Sequence, residues 1–266
     1  MTNPKPIRCF EGNAQPHEAF WRVRDAAQTG GDPELEFYGV ISEYSWFEDD
    51  ITPKKFKQDL YDLGKGGPLT VRIDSPGGDV VAASTIRAIM SDYPGEITVR
   101  VDGMAASAAV IVAMSGKTVR IMDSAYMMIH DPYLIALFAI LDIETLGRLH
   151  DALGSIKKGI VDVYTAKTGL SEARVNKMMS DETWMSAAEA VNFGFATEII
   201  EGGQHKKASN MNNMAFVNAL QSYENVPPEL LNLTSEEERR QADVRRESIE
   251  RLRDRIQHYR KENNNG

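Results

Sequence analysis

Cysteine is almost absent: the single Cys9 excludes an internal disulfide framework and a cysteine-based zinc site, and it fits a reducing compartment. Long apolar runs are missing too, so no stretch has the length of a membrane span. The opening Met1-Thr2-Asn3-Pro4-Lys5-Pro6 lacks the apolar core of a signal peptide, and a cytoplasmic location is the expectation. Basic charge is in deficit, with 30 Lys and Arg against 39 Asp and Glu, a net charge of -9 and a pI near 5.2. That balance argues against nucleic acid as a partner. A phosphate-binding loop ending in Lys-Ser or Lys-Thr is not found. Histidine is scarce: only His17, His130, His150, His205 and His258 could serve as a general base.

What remains is a chain of 266 residues, 42% hydrophobic, enough for one sizeable core with appendages. Residues 1–34, rich in Pro, Gly and Asn, read as an N-terminal arm with a short strand around Phe20-Trp21-Arg22-Val23. From residue 35 to 203 strands and helices alternate. Strands are expected at 36–41, 69–74, 97–101, 117–122, 125–129 and 195–200, and helices at 53–63, 79–93 and 108–114. Strand, helix, strand over such lengths implies parallel pairing through right-handed crossovers, so the fold class is α/β. A long helix over 142–167 carries Leu146, Leu149, Leu153, Ile156, Ile160 and Val163 at helical spacing, and Gly169 ends it. A further helix is expected from 171 to 179. Ser186 with Glu189 forms a capping-box pattern before another, which Gly194 closes. Residues 204–266 read as a linker followed by a charged helical tail, in which Ala242, Ile249, Leu252, Ile256 and Tyr259 make a thin apolar seam.

Ser107 is the residue out of place, a lone hydroxyl in the small apolar run Gly103-Met104-Ala105-Ala106-Ser107-Ala108-Ala109. The run follows a strand and opens a helix, which puts Ser107 at a helix N-terminus, where unpaired N–H groups favour negative charge. A serine that attacks a carbonyl needs that setting, because negative charge develops on the substrate oxygen. Taken alone, Ser107 equally reads as a small packing residue. Ser75-Pro76-Gly77-Gly78, a second glycine-rich turn after a strand, can aim backbone N–H groups at a ligand and form one half of an oxyanion hole. The N–H of Ala108 would be the other half. His130 ends the strand 125–129 and precedes Asp131-Pro132, where a sheet edge meets a loop. His17, His205 and His258 lie in the arm or the tail, and His150 falls on the long helix.

Taken together, in this order, these motifs closely resemble the proteolytic subunit of the Clp protease (ClpP), over about residues 36 to 200. The matching stretches are Ser75-Pro76-Gly77-Gly78, Gly103 to Ser107, Met128-Ile129-His130-Asp131-Pro132, Ser186-Ala187-Ala188-Glu189-Ala190 and Phe193-Gly194. The resemblance implies the ClpP/crotonase-type fold of stacked ββα units with an outlying long helix. It implies a serine endopeptidase with Ser107 as nucleophile, His130 as base, and the N–H groups of Gly78 and Ala108 holding the oxyanion. No metal and no organic cofactor is implied. Counting back from Ser186-Ala187 without a gap, the family's acidic residue falls on Glu182; one inserted residue would move it to Asp181. Two features depart from the pattern. After His130 the family has a Gly-rich strand, whereas Tyr133 to Ile140 are apolar, so nothing follows for ring stacking or peptide alignment. The opening segment and the tail look more like the Clp-related head maturation proteases of tailed phages and prophages.

The expected partners are peptide or protein substrates, further copies of the chain in a ring, and either an ATPase unfoldase or capsid and scaffold proteins, with no nucleic acid and no membrane. Two other readings stay open: a crotonase-like acyl-CoA hydratase or isomerase, which would not need Ser107, and a non-catalytic assembly protein that uses the charged tail.

Overall fold

Alternating apolar residues on successive strands generate a sheet with one dry face and one charged face. The computed structural model of the chain describes residues 21–41, 53–134, 142–201, 220–227 and 230. Its elements in chain order are β1 (Trp21–Arg24), α1 (Ala26–Thr29), β2 (Glu34–Tyr38), α2 (Pro53–Gly64), β3 (Leu69–Ser75), α3 (Val80–Ser91), β4 (Ile97–Ala106) and α4 (Ala108–Ala113). There follow β5 (Thr118–Met122), β6 (Tyr126–Ile129), α5 (Ile143–Thr168), α6 (Glu172–Ser180), β7 (Thr183–Ser186), α7 (Ala187–Asn192) and β8 (Glu198–Ile200). The sheet runs β1-β2-β3-β4-β5-β8, antiparallel at β1 and parallel elsewhere along this path. This is the α/β class expected from the strand and helix alternation.

The register explains the two faces. Leu35, Phe37, Val71, Ile73, Val99, Val101, Val119 and Ile121 are fully buried, on the side where α2, α3 and α4 pack. Each such side chain contributes about 1.5–3 kcal/mol of burial. On the alternate positions Glu36, Arg72, Arg100, Arg120 and Glu198 stand in line across five strands. Asp102 gathers this face together: it accepts from Tyr38 Oη at 2.5 Å and from Arg72 Nε at 2.7 Å. Arg100 Nε lies 2.7 Å from its other oxygen without the alignment of a hydrogen bond.

β4 is longer than the sequence suggests because it changes partners along its length. Thr98 to Val101 pair with β5, and then Met104, Ala105 and Ala106 pair with Tyr126, Met127 and Met128 of β6. β6 in turn pairs antiparallel with β7, Ile129 opposite Thr183 and Met128 opposite Trp184. The small lobe made by the end of β4 with β6 and β7 has two apolar faces. Ala105, Met127, Ile129 and Met185 join the main core, whereas Met104, Ala106 and Met128, flanked by Tyr126 and Trp184, form a second cluster with Leu220, Tyr223, Val226 and Leu230.

α5 is the long helix expected from the leucine spacing, started by Asp142, whose carboxylate accepts from the Thr145 N–H, and ended by Gly169 in the left-handed region. Only Ile160, Val161 and Tyr164 on it are buried, and Ile143 and Leu146 near its start are exposed. The capping box at Ser186 and Glu189 is formed. α1 and β7 were not expected from the sequence. The expected N-cap Thr52, most of the apolar segment 133–140 and the tail helix lie outside the described residues. No described helix is long and apolar enough to cross a membrane.

Candidate active site

β4, β6 and β7 deliver three chemically capable residues to one edge. Ser107 follows the last residue of β4 and donates its N–H to Met128 O at 2.8 Å, which continues the β4–β6 pairing by one step. His130 follows the last residue of β6, so the two side chains emerge beside one another. Ser107 Oγ lies 2.7 Å from His130 Nε2. Ser107 turns the chain sharply from strand into α4 with φ 54° and ψ -123°, a conformation rare for a residue with a Cβ.

The turn at 75–78 closes against this serine. Ser75 is fully buried, donates its hydroxyl to Gly39 O at 2.6 Å and accepts from the Gly77 N–H at 3.1 Å. Gly77 and Gly78 have φ of 96° and 140°, where side chains are strained. A Cβ on Gly77 would lie 2.8 Å from the Ser107 Cβ, and one on Gly78 would lie 2.0 Å from Ile41 O. The N–H groups of Gly78 and Ala108 donate no hydrogen bond among the described residues. They are therefore free to receive an oxygen that carries developing charge.

Burial lowers the pKa of His130 from its ordinary value, and the negative charges of Glu182, Asp131 and Glu224 partly oppose that. At neutral pH the ring is uncharged, and Nε2 can accept the Ser107 proton.

The two acid candidates do not lie on one extended segment. Asp181 caps α6 in the right-handed helical region, and Glu182 takes φ 47° to swing the chain into β7. The β6–β7 register, with Ile129 opposite Thr183, carries Glu182 to the level of His130. Asp181 points away and pairs with Lys177 Nζ at 2.7 Å on the surface. Among the described residues no hydrogen bond joins the Glu182 carboxylate to His130. It accepts instead from the backbone N–H groups of Glu224 and Asn225, at 2.8 and 2.6 Å, and from Trp184 Nε1 at 3.2 Å. No group of three His, Cys, Asp or Glu side chains able to hold a metal occurs among the described residues.

Sequence reasoning missed the residues of 220–227 that lie at this edge. The Tyr223 ring sits 5.2 Å from the His130 ring and 6.1 Å from that of Trp184, and its hydroxyl donates to Pro76 O at 2.5 Å. No local signal marks Tyr223, because its neighbours are the polar and proline-rich residues of a linker.

Comparison with known proteins adds a family to this geometry. The family model described as Clp protease matches residues 56–203. The ATP-dependent Clp protease proteolytic subunit 1 of Protochlamydia amoebophila is 28% identical over 155 residues, covering 57% of this chain and 73% of the relative. That of Chlamydia abortus is 31% identical over 141 residues, 51% of this chain and 71% of the relative. Among solved structures, a single-substitution mutant of ClpP1 from Listeria monocytogenes superposes with a TM-score of 0.55 at 22% identity, over 64% of this chain and 91% of that one. At that identity the likeness is one of fold.

Proposed function

The chain belongs to the Clp protease family, and on that premise we propose that it is a serine endopeptidase with Ser107 as nucleophile and His130 as general base. The observation that carries this reading is the 2.7 Å contact between Ser107 Oγ and His130 Nε2. Ser107 Oγ attacks the peptide carbonyl as Nε2 takes its proton, and the N–H groups of Gly78 and Ala108 hold the oxyanion. The C–N bond then breaks, and the imidazolium returns the proton to the leaving amine. Water, activated by the same imidazole, hydrolyses the acyl-enzyme and restores Ser107. Glu182 is the acid that favours the imidazolium, supported by its place opposite His130 in the strand register.

The unit that does this chemistry is residues 35–203. Its substrates are proteins or peptides, and the phage or prophage branch of the family would make them capsid or scaffold precursors. A ring of identical chains is supported by exposed apolar residues on one side of the site, Tyr133 and Leu134, and by Ile143 and Leu146 on the outlying helix. An ATPase unfoldase is an alternative partner to capsid proteins.

Turnover tests the chemical part. Hydrolysis of short apolar fluorogenic peptides falls to background in Ser107→Ala, a loss of about 10³-fold or more. Turnover that survives the substitution removes Ser107 as nucleophile.

A further inference from the structure

The apolar face of the small lobe borders the nucleophile, and the chain itself covers it. Met104, Ala106 and Met128 are almost completely buried there, yet they point away from the main core. They owe that burial to Leu220, Tyr223, Val226 and Leu230. Tyr223 is the residue nearest the chemistry: 7% exposed, packed on the His130 ring and bonded to the carbonyl of Pro76 in the glycine turn. The phenol commits its own proton to Pro76 O, next to Gly77, whose backbone abuts the Ser107 Cβ, so its ring stands over the histidine that would take the serine proton.

The stretch is held by a second set of contacts. The N–H groups of Glu224 and Asn225 close on the Glu182 carboxylate, and Asn225 Nδ2 donates to Asp181 O at 3.1 Å. The docked stretch thereby also engages the acid assigned to His130.

Its conformation is that of a plug and not of a bound substrate. A peptide aligned for cleavage adds its backbone to a sheet edge as an extended strand. Here the chain turns on itself, with the Tyr223 N–H bonded to Leu220 O at 3.1 Å and the Leu230 N–H to Pro227 O at 3.0 Å. No described residue of the stretch pairs with β4, β6 or β7. A side chain, that of Tyr223, is what reaches His130 and the glycine turn beside Ser107.

We propose that the stretch from Leu220 to Pro227, with Leu230, is an intramolecular inhibitor of the active site, with Tyr223 seated on His130 and the glycine turn beside Ser107, and that turnover requires this stretch to leave. The inference rests on the reading of Ser107 as nucleophile. The rate of reaction at Ser107 is then scaled by the small fraction of chains in which the stretch is undocked.

The test uses a fluorophosphonate probe on the full-length chain and compares wild type, Tyr223→Ala, Val226→Asp and Ser107→Ala. Tyr223→Ala removes the plug. Val226→Asp keeps Tyr223 and places a charge in the apolar seat, so it ejects the stretch by a separate route. Both react with the probe at least about tenfold faster than wild type, since each raises the undocked fraction, while Ser107→Ala does not react. Equal or slower labelling in both variants overturns the proposal, and slower labelling in Tyr223→Ala alone would make that residue a helper of catalysis. Loss of a cooperative thermal transition in both variants also overturns it, because the stretch would then be a fixed part of the body. No labelling in any chain counts against Ser107 as nucleophile, whereas equal labelling in all but Ser107→Ala counts against the inhibitor alone.

Discussion

Ser107 adopts φ 54°, and this single strained residue is what presents its hydroxyl to His130 at 2.7 Å. Strain of this kind persists only where the surroundings over-determine it, and here they do, through the bond from its N–H to Met128 O and the glycine turn pressed against its Cβ. At the same scale Glu182 and Asp181 part ways. Removing the Glu182 charge takes away the largest of the influences that favour protonated His130, whose pKa burial already lowers. Since the neutral ring is the active form, Glu182→Gln moves the acidic limb of kcat/KM to lower pH. Measured in Tyr223→Ala chains, where the site is open, it also lowers the plateau at least about tenfold, because the imidazolium formed during attack loses its counter-charge. Asp181→Asn changes neither, since its carboxylate serves an exposed pair with Lys177. If Asp181→Asn is the crippling change, the assignment of Glu182 is wrong. The residues that carry this geometry stood out in the sequence because each breaks a local rule: a hydroxyl in an alanine run, two glycines after a strand, a histidine at a strand end. Their hydrogen-bond partners were not legible, because a carboxylate's choice between His130 and the N–H groups of a distant stretch depends on tertiary packing.

At the scale of elements, strand periodicity and capping residues located most of the sheet and the long helix to within a few residues. The end of β4 escaped because the alternation of apolar and polar residues stops at Val101, whereas pairing with β6 keeps Met104 to Ala106 extended. β7 escaped because four residues, Thr183 to Ser186, carry too short a pattern to separate from a loop. The packing of β3 on β4 also creates a buried acid that no strand pattern announces. Asp74 is 2% exposed, and Gly103 of β4 packs so closely that a Cβ there would lie 2.8 Å from its Oδ1. Burial, and secondarily the charge of Asp102, raises its pKa from 3.8 to about 7, against the pull of the Met104 N–H. A carboxyl whose pKa is higher in the fold than in the unfolded chain stabilises the fold at low pH. That contribution is lost as pH rises from about 4 through about 7. Asp74→Asn removes the penalty of the charged form, so it raises the melting temperature at pH 8 by about 3 °C or more, and the gain shrinks at pH 5. Melting curves of the two chains that stay equally separated at both pH values would contradict this.

For the whole molecule, the decisive contacts join parts far apart in the chain. Tyr223 and Pro76 meet across 147 positions, and Glu224 reaches Glu182 across 42. Leu220, Tyr223, Val226 and Leu230 follow neither a strand nor a helix period long enough to read, so the sequence alone makes their surroundings a linker. The lobe they cover had no visible need of cover either, since β6 read simply as a buried strand. What the sequence does reach at this scale is the α/β class and the family, because glycine turns, serine and histidine occur in an order that the sheet topology then brings to one edge. The account stands on Ser107 being the single activated nucleophile of that edge. Mapping by peptide mass spectrometry where a fluorophosphonate attaches, on wild type and on Tyr223→Ala, tests this most directly. One adduct per chain on Ser107, absent from Ser107→Ala and from heat-unfolded protein and strongly slowed in His130→Ala, is the predicted result; an adduct on any other residue, or none on either chain, would contradict it.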